Sequence, residues 1–128
     1  MSIIINLTDE EHEDLIVTAI EGGSNYWYFL SDDAVKIIKE ATVRYKKDTP
    51  LSTRLWGAIK NGAVVPIYDA EDEKTKIGEI SLASIEKGEQ LLADKHTYYL
   101  CDILNENMDA KTADAWFQYC SMGELVYG

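Results

Sequence analysis

The chain has 128 residues, of which 46% are hydrophobic and 27% are charged. These values are typical of a folded globular domain and exclude an intrinsically disordered chain. The formal net charge of −11 repels phosphate backbones and anionic lipids, so we expect neither direct nucleic-acid binding nor membrane binding.

Length and cysteine content indicate one small intracellular domain. We expect residues 1–128 to form a single domain, because a chain of this length can bury one sizeable core. The apolar run at residues 3–5 lacks the length and the basic flank of a signal peptide. We therefore expect a soluble, cytoplasmic protein. Cys101 and Cys120 stand among apolar and aromatic residues, which favours reduced thiols buried in the core.

The first elements are a short strand and a capped helix. Residues 2–6 are rich in isoleucine, which predicts an opening strand. Thr8 and Glu11 have the spacing of a capping box, so a helix should begin directly after Thr8. Gly22 is expected to end this helix in the left-handed conformation.

Two further helices are predicted before the chain changes its hydrophobic period. Ser31 should begin the second helix, and the lysines at 46–47 suit its C-terminal end. Pro50 should occupy the first position of the third helix, which the Asn-Gly pair at 61–62 should end.

The middle of the chain predicts a β-hairpin followed by a helix. Residues 63–81 contain two β-rich stretches around a polar, acidic turn, and Pro66 should place the first strand at a sheet edge. Ser81 or Ser84 should begin the next helix, which Gly88 weakens by about 1 kcal/mol relative to alanine.

The last third of the chain is expected to be mainly helical. Residues 98–104 fit either a helix or a strand, and a helix is favoured. Asp109 should cap the last helix, and residues 125–127 should form a short strand or a tucked segment. The aromatic residues Trp56, Trp116 and Tyr127 are expected to be core anchors. The predicted class is therefore α+β, with a small antiparallel sheet (a hairpin near 63–81 plus short terminal strands) packed by about five helices.

Acidic residues are concentrated in one predicted helix and in one predicted turn. The candidates for an acidic surface are Asp9, Glu10, Glu13, Asp14, Asp69, Glu71, Asp72 and Glu73. Basic residues collect between Lys36 and Lys60. The carboxylates can simply keep the protein soluble, or they can dock on a basic groove of a partner, as nucleic-acid mimics do.

A second candidate site follows the first helix. It consists of Gly22, Gly23, Ser24, Asn25, Tyr26 and Trp27. Adjacent glycines allow unusual backbone angles, the asparagine amide can donate and accept, and the two aromatic rings offer flat surfaces with polar tips. This set suits a small planar ligand or a partner's side chain. The alternative is a helix cap whose aromatic rings fill the core.

Motifs of catalysis or of cofactor binding are lacking in the sequence. It contains no phosphate-binding glycine loop, no Gly-x-Ser-x-Gly turn and no Cys-x-x-Cys pair. His12 and His96 are far apart and have no partner at metal-ligand spacing. We therefore expect no metal and no cofactor, and an enzyme is the least favoured class.

Four blocks of sequence resemble a family of small, acidic phage and prophage proteins. They are Glu21-Gly22-Gly23-Ser24-Asn25-Tyr26-Trp27, Tyr68-Asp69-Ala70-Glu71-Asp72, Thr112-Ala113-Asp114-Ala115 and Gly123-Glu124-Leu125-Val126-Tyr127-Gly128. The resemblance runs over almost the whole chain, with the blocks in the same order. It implies a bacterial mobile element as the context, and it implies no activity, cofactor or catalytic residue.

The favoured function is that of a non-catalytic accessory protein which binds a host or phage macromolecule through its acidic surface. A counter-defence inhibitor and a nucleic-acid mimic are its concrete forms. The alternative is a protein that binds or sequesters a nucleotide-type small molecule through residues 22–27.

Overall fold

The computed structural model describes residues 5–128, which contain six α-helices and three strands. The helices are α1 (Asp9–Thr18), α2 (Asp32–Ala41), α3 (Leu51–Lys60), α4 (Leu82–Lys95), α5 (Thr97–Leu104) and α6 (Ala110–Met122). The strands β1 (Tyr28–Phe29), β2 (Val65–Asp69) and β3 (Lys76–Ile80) form one antiparallel sheet in the order β1-β2-β3. The predicted α+β class, with a small antiparallel sheet packed by helices, is confirmed.

Helix α6 lies at the centre of the fold. Every residue from Thr112 to Ser121 is buried, and the helix contacts α1, α4, α5 and β3. Asp109 caps it as predicted, since its carboxylate accepts a hydrogen bond of 2.9 Å from the Thr112 amide. The sequence indicated one apolar side of this helix, but neighbours on several sides bury nearly its whole surface.

Side-chain caps set the start of several helices, as the sequence predicts. Thr8 and Glu11 bond reciprocally, with distances of 3.0 Å to the Thr8 hydroxyl and 2.8 Å to the Glu11 carboxylate. Ser31 caps α2 and Ser81 caps α4. These caps satisfy backbone amides that would otherwise lack a partner. Helix α3 begins at Leu51, so the prediction that Pro50 occupies its first position is wrong by one residue.

The predicted end of the first helix is wrong. Gly22 is not in the left-handed region; among residues 5–128 the glycines with positive φ are Gly62, Gly123 and Gly128. The chain instead continues from α1 into a π-helical turn, Ala19–Gly23. The Ser24 amide closes this turn by donating to the Ala19 carbonyl at 2.8 Å.

Helix α2 also ends earlier than the lysines at 46–47 suggested. Its last residue is Ala41, and the guanidinium of Arg54 on α3 satisfies the backbone beyond it. That guanidinium donates to the Thr42 carbonyl at 3.1 Å and to the Thr42 hydroxyl at 2.9 Å. A side chain from another helix therefore supplies hydrogen-bond donors at the end of α2.

The hairpin is confirmed, but the third strand comes from an unexpected place. Tyr28 and Phe29 of β1 pair with Asp69 and Tyr68 of β2. Residues 125–127 were predicted to form a short strand or a tucked segment; they have no regular secondary structure, so the strand is wrong. Of the expected strand at 2–6, residues 2–4 lie outside the described part of the chain, and residues 5–6 have no regular secondary structure.

Pro66 lies in the central strand of the sheet rather than in an edge strand. It pairs with Glu79 of β3, while β1 reaches only the far end of β2, at Tyr68 and Asp69. On the β1 side the sheet therefore ends before Pro66. A proline without an N–H is tolerated where its strand has a partner on one side only.

The two cysteines are both free thiols, but they differ in exposure. Cys120 is buried as expected, whereas Cys101 is exposed on α5, which corrects the prediction of a second core thiol. Burial and the nearby Glu89 carboxylate raise the pKa of Cys120. The Cys120 thiol is therefore protonated at neutral pH and a poor nucleophile.

Gly88 permits the close approach of α4 to α6. A Cβ atom built on Gly88 would lie 2.5 Å from Cα and 2.6 Å from the backbone nitrogen of Cys120. Backbone atoms cannot move aside as a flexible side chain can. The glycine that looked like a weak point in the helix is thus a packing requirement.

We expect Gly88→Ala to destabilise the protein by about 1–3 kcal/mol, because the overpacking outweighs the gain in helix propensity. Denaturant unfolding measures the change. Gly22→Ala is the matched control, since nothing lies within 4 Å of a Cβ built there. Equal or greater stability of Gly88→Ala would contradict the close helix contact.

Candidate functional site

The 22–27 segment is bound to α6 through a single carboxylate. Ser24 Oγ and Trp27 Nε1 each donate to Asp114 Oδ1 at 2.7 Å. Tyr26 OH donates to Asp114 Oδ2 at 2.6 Å. Three side chains from one short segment thus converge on one residue about 90 positions later in the sequence. Hydrogen bonds to a charged acceptor are among the stronger ones in proteins.

The π-helical turn brings this segment against the start of α6. A Cβ atom built on Gly23 would lie 2.7 Å from the Ala110 carbonyl oxygen, so only glycine fits this approach. The wider π turn places Ser24 where its side chain reaches Asp114. The Trp27 amide then donates to the Ser24 carbonyl at 3.1 Å, which folds the segment back on itself.

Only half of the predicted 22–27 site is open to solvent. Ser24 and Trp27 are 0% and 2% exposed, and Gly23 is half-buried. Gly22, Asn25 and Tyr26 are exposed. Trp27 packs against Phe117 and Tyr28, as the core alternative described. A ligand at this segment would therefore meet Gly22, Asn25 and the Tyr26 ring.

The Tyr26 phenol is a hydrogen-bond donor over the whole physiological pH range. Partial burial, together with the hydrogen bond to Asp114 and its charge, raises the pKa of Tyr26 to about 12. The phenol therefore stays neutral and remains bound to the carboxylate.

Two of the four predicted acidic residues of α1, Glu10 and Asp14, face a surface cleft. The cleft has a volume of about 540 Å³, and we call it the acidic cleft. Its lining residues are Thr8, Glu10, Glu11, Asp14, Ile103, Glu106 and Met108. Four carboxylates and two apolar side chains therefore share one concave surface between α1 and the end of α5.

The remaining acidic candidates of α1 are not in this lining. Asp9 accepts a hydrogen bond of 2.9 Å from Trp56 Nε1 and lies 3.0 Å from Lys60 Nζ. The hydrogen bonds from Lys60 and Trp56 lower the pKa of Asp9. Glu13 is half-buried. Asp9 thus links α1 to α3.

Two of the four acidic residues of the hairpin turn, Asp69 and Asp72, have local partners. Asp69 accepts from the Glu71 amide at 2.9 Å, and Asp72 accepts from the Thr75 hydroxyl at 2.7 Å. The carboxylates of Glu71 and Glu73 are exposed. This cluster therefore includes two aspartates that shape the turn and two glutamates that project into solvent.

A buried polar cluster that the sequence did not indicate joins α1, α4 and α6. His12 Nε2 lies 2.8 Å from Glu89 Oε2, which also accepts a hydrogen bond of 2.9 Å from Trp116 Nε1. His12 Nδ1 lies 3.0 Å from the Thr8 carbonyl oxygen, and its ring stacks on Trp56 with 4.9 Å between centroids. Glu89 is 6% exposed.

Both ring nitrogens of His12 face acceptors, which fits the doubly protonated imidazolium. Burial opposes its charge, but the hydrogen bond and charge of Glu89 outweigh burial and raise the pKa of His12. His12 and Glu89 are 77 residues apart, so no local spacing in the sequence could have paired them.

Within residues 5–128, no three side chains of His, Cys, Asp or Glu are grouped so that they could hold a metal ion. None of the described helices has both the length and the apolar character needed to cross a membrane.

Comparison of the chain with protein-family profiles, curated proteins and solved structures gives no match.

Proposed function

We propose that the chain is a non-catalytic accessory protein of a phage or prophage, which binds a basic surface of a host or phage macromolecule in the bacterial cytoplasm. The acidic cleft carries this proposal, because four carboxylates and two apolar side chains line it together. The resemblance of four sequence blocks to small phage proteins supports the context.

The mixture of charge and apolar surface favours binding over a merely solubilising role. Carboxylates attract and orient a basic partner, which raises the association rate. Apolar side chains add surface that binding removes from water. Met108, which is half-buried, supplies that surface in the lining of the cleft, whereas Ile103 is only 3% exposed. A counter-defence inhibitor that occupies a phosphate-binding groove, as a nucleic-acid mimic does, is the concrete form.

The alternative, a protein that binds a nucleotide-type ligand through the 22–27 segment, has less support. The polar atoms of Ser24 and Trp27 already bond to Asp114, and a negatively charged protein repels an anionic ligand.

The test is the binding of a labelled peptide of alternating lysine and leucine, followed by fluorescence anisotropy. The triple variant Glu10→Gln, Asp14→Asn and Glu106→Gln should weaken binding about tenfold, because it removes the carboxylates of the cleft. Its matched control removes the same number of charges from the hairpin and should change binding little. The control substitutions are Glu71→Gln, Asp72→Asn and Glu73→Gln.

Salt provides a second arm of the same experiment. Exposed charges are screened beyond about 8 Å at physiological ionic strength, so affinity should fall steeply as salt rises. Affinity that is independent of salt would overturn the proposal. Equal losses in the cleft variant and the hairpin variant would overturn it too, since they would indicate a response to net charge alone.

A further inference from the structure

The basic residues of this acidic chain are concentrated in one stretch of sequence. More than half of the 12 lysines and arginines lie between Lys36 and Lys60, in a chain whose formal net charge is −11. Within that stretch, residues 43–47 follow α2 without regular secondary structure, and we call them the basic segment. The side chains that this segment exposes are Val43, Arg44, Lys46 and Lys47.

Val43 places an apolar side chain among these cations. It is 75% exposed, which is the largest exposed fraction of any large hydrophobic residue in the part of the chain from 5 to 128. Covering such a side chain removes apolar surface from water and favours association. Met108 provides a half-buried apolar side chain among the carboxylates of the acidic cleft. Both surfaces therefore combine one sign of charge with apolar area.

The charges of both surfaces lack an oppositely charged partner within the described residues. Across residues 5–128, the salt bridges use the cationic side chains of His12, Lys36, Lys60 and Lys76. None of these pairs includes a cation of the basic segment or a carboxylate of the acidic cleft. Both sets of charges can therefore pair with charges on another molecule.

The basic segment is held in one conformation by contacts within the chain. The Tyr45 amide donates to the Thr42 carbonyl at 3.0 Å, and the same carbonyl accepts from Arg54 at 3.1 Å. The Tyr45 ring lies against Gly57 of α3, where a built Cβ atom would be 2.7 Å from Tyr45 Cζ. Binding therefore needs to order little backbone here, which lowers its entropic cost.

We propose that the acidic cleft of one copy of this chain binds the basic segment of a second copy, so that the protein self-associates. This inference rests on the proposed function, since it requires the cleft to bind a basic surface. Complementary charge selects the occupant, because the cleft supplies carboxylates and the segment supplies cations. Val43 and Met108 supply the apolar area that the contact removes from water.

The net charge of the chain opposes this contact at long range. Two copies at −11 repel each other, but charges separated by more than about 8 Å are largely screened at physiological ionic strength. Charges in direct contact are screened less. A variant with fewer carboxylates in the cleft should therefore associate more weakly, although its copies repel each other less.

The test is sedimentation equilibrium of the full chain at concentrations up to about 1 mM, where weak contacts are populated. The cleft variant should raise the dissociation constant of self-association about tenfold or more, and so should a segment variant. The segment substitutions are Arg44→Gln, Lys46→Gln and Lys47→Gln. All substituted positions of both variants are exposed, so both variants should keep the fold.

Each variant has a control with the same net charge. The hairpin variant is the control for the cleft variant. The control for the segment variant neutralises three exposed lysines outside the basic segment, through Lys74→Gln, Lys87→Gln and Lys95→Gln. Each control should weaken self-association far less than the variant that it matches. Equal losses would show a response to net charge alone and would overturn the inference.

A mixture of the two variants tests whether these two surfaces contact each other. The cleft variant keeps an intact basic segment, and the segment variant keeps an intact cleft. Because the two surfaces differ, the mixture can still form the contact. It should associate about tenfold or more tightly than either variant alone. A mixture that associates no better than its components would contradict the inference.

Two results with the unaltered chain would also overturn it. One is a monomer at every concentration. The other is self-association that persists unchanged at about 1 M salt, where the screening length falls to about 3 Å.

The peptide assay separates this inference from the proposed function. A chain that binds the lysine-leucine peptide in its cleft but does not self-associate would retain the proposed function and refute self-association. A chain that neither binds the peptide nor self-associates would refute both.

Discussion

Replacing Asp114 with alanine should lower the free energy of unfolding by about 3–4 kcal/mol, which corresponds to a melting temperature roughly 10 °C lower. The substitution leaves the buried donors Ser24 Oγ and Trp27 Nε1 without their acceptor, and it frees the Tyr26 hydroxyl. Each unpaired buried donor costs about 1–3 kcal/mol. Thermal and denaturant unfolding measure the effect.

Two further substitutions separate the hydrogen bonds from the charge. Asp114→Asn keeps one carbonyl oxygen for Ser24 and Trp27, so the free energy of unfolding should fall by less than in Asp114→Ala. Asp94→Ala removes a carboxylate that is exposed on α4 and accepts only from Gln90, and it should cost less than about 0.5 kcal/mol. Similar melting temperatures for Asp114→Ala and Asp94→Ala would refute the central role of Asp114.

The buried pair of His12 and Glu89 should make stability depend on pH. The pKa of His12 is raised in the folded chain, so the folded chain holds this proton more tightly than the unfolded chain does. The tighter proton binding stabilises the folded chain, and this contribution is complete below the ordinary histidine pKa of about 6.5. It is lost as the pH rises through the folded-state value.

Glu89→Gln should therefore cost about 3 kcal/mol near pH 6, where it removes the partner of a buried imidazolium. Near pH 9 the cost should shrink towards zero, because a neutral His12 no longer stabilises the buried carboxylate. Denaturant unfolding at several pH values measures this. Glu86→Gln, at an exposed position of the same helix, is the control and should show a small effect at every pH. A cost of Glu89→Gln that stays constant with pH would contradict the charged pair.

Local signals in the sequence predicted where the helices begin and where the β-hairpin lies. Thr8, Ser81 and Asp109 each cap the helix that their spacing indicated, because a cap acts within three residues. The sequence also predicted the hairpin, since a polar turn between two β-rich stretches is a local pattern. The ends of helices were less predictable. At the end of α2, Arg54 from another helix donates to the Thr42 carbonyl, a contact that no local pattern indicates.

The buried polar contacts could not be predicted in this way. Asp114 is the acid of an otherwise apolar stretch of α6, and its three donors lie 87 to 90 positions earlier. Gly88 could not be interpreted from local sequence either. Its low helix propensity indicates a weak point in α4, whereas the close contact with the Cys120 backbone requires a glycine there. The candidate site at residues 22–27 was found from its composition, but its binding to Asp114 depends on tertiary structure.

The burial of α6 on nearly all sides has a consequence for biosynthesis. The faces of α1, α4 and β3 that pack on this helix are made before it, since residues 1–109 precede it. At about 5–20 residues per second, the ribosome needs roughly 5–18 s to make residues 19–109, which lie between α1 and α6. During that interval the face of α1 that packs on α6 lacks this partner. Chaperones that shield such surface should therefore matter more for the yield of this protein than for a protein whose central helix is made first.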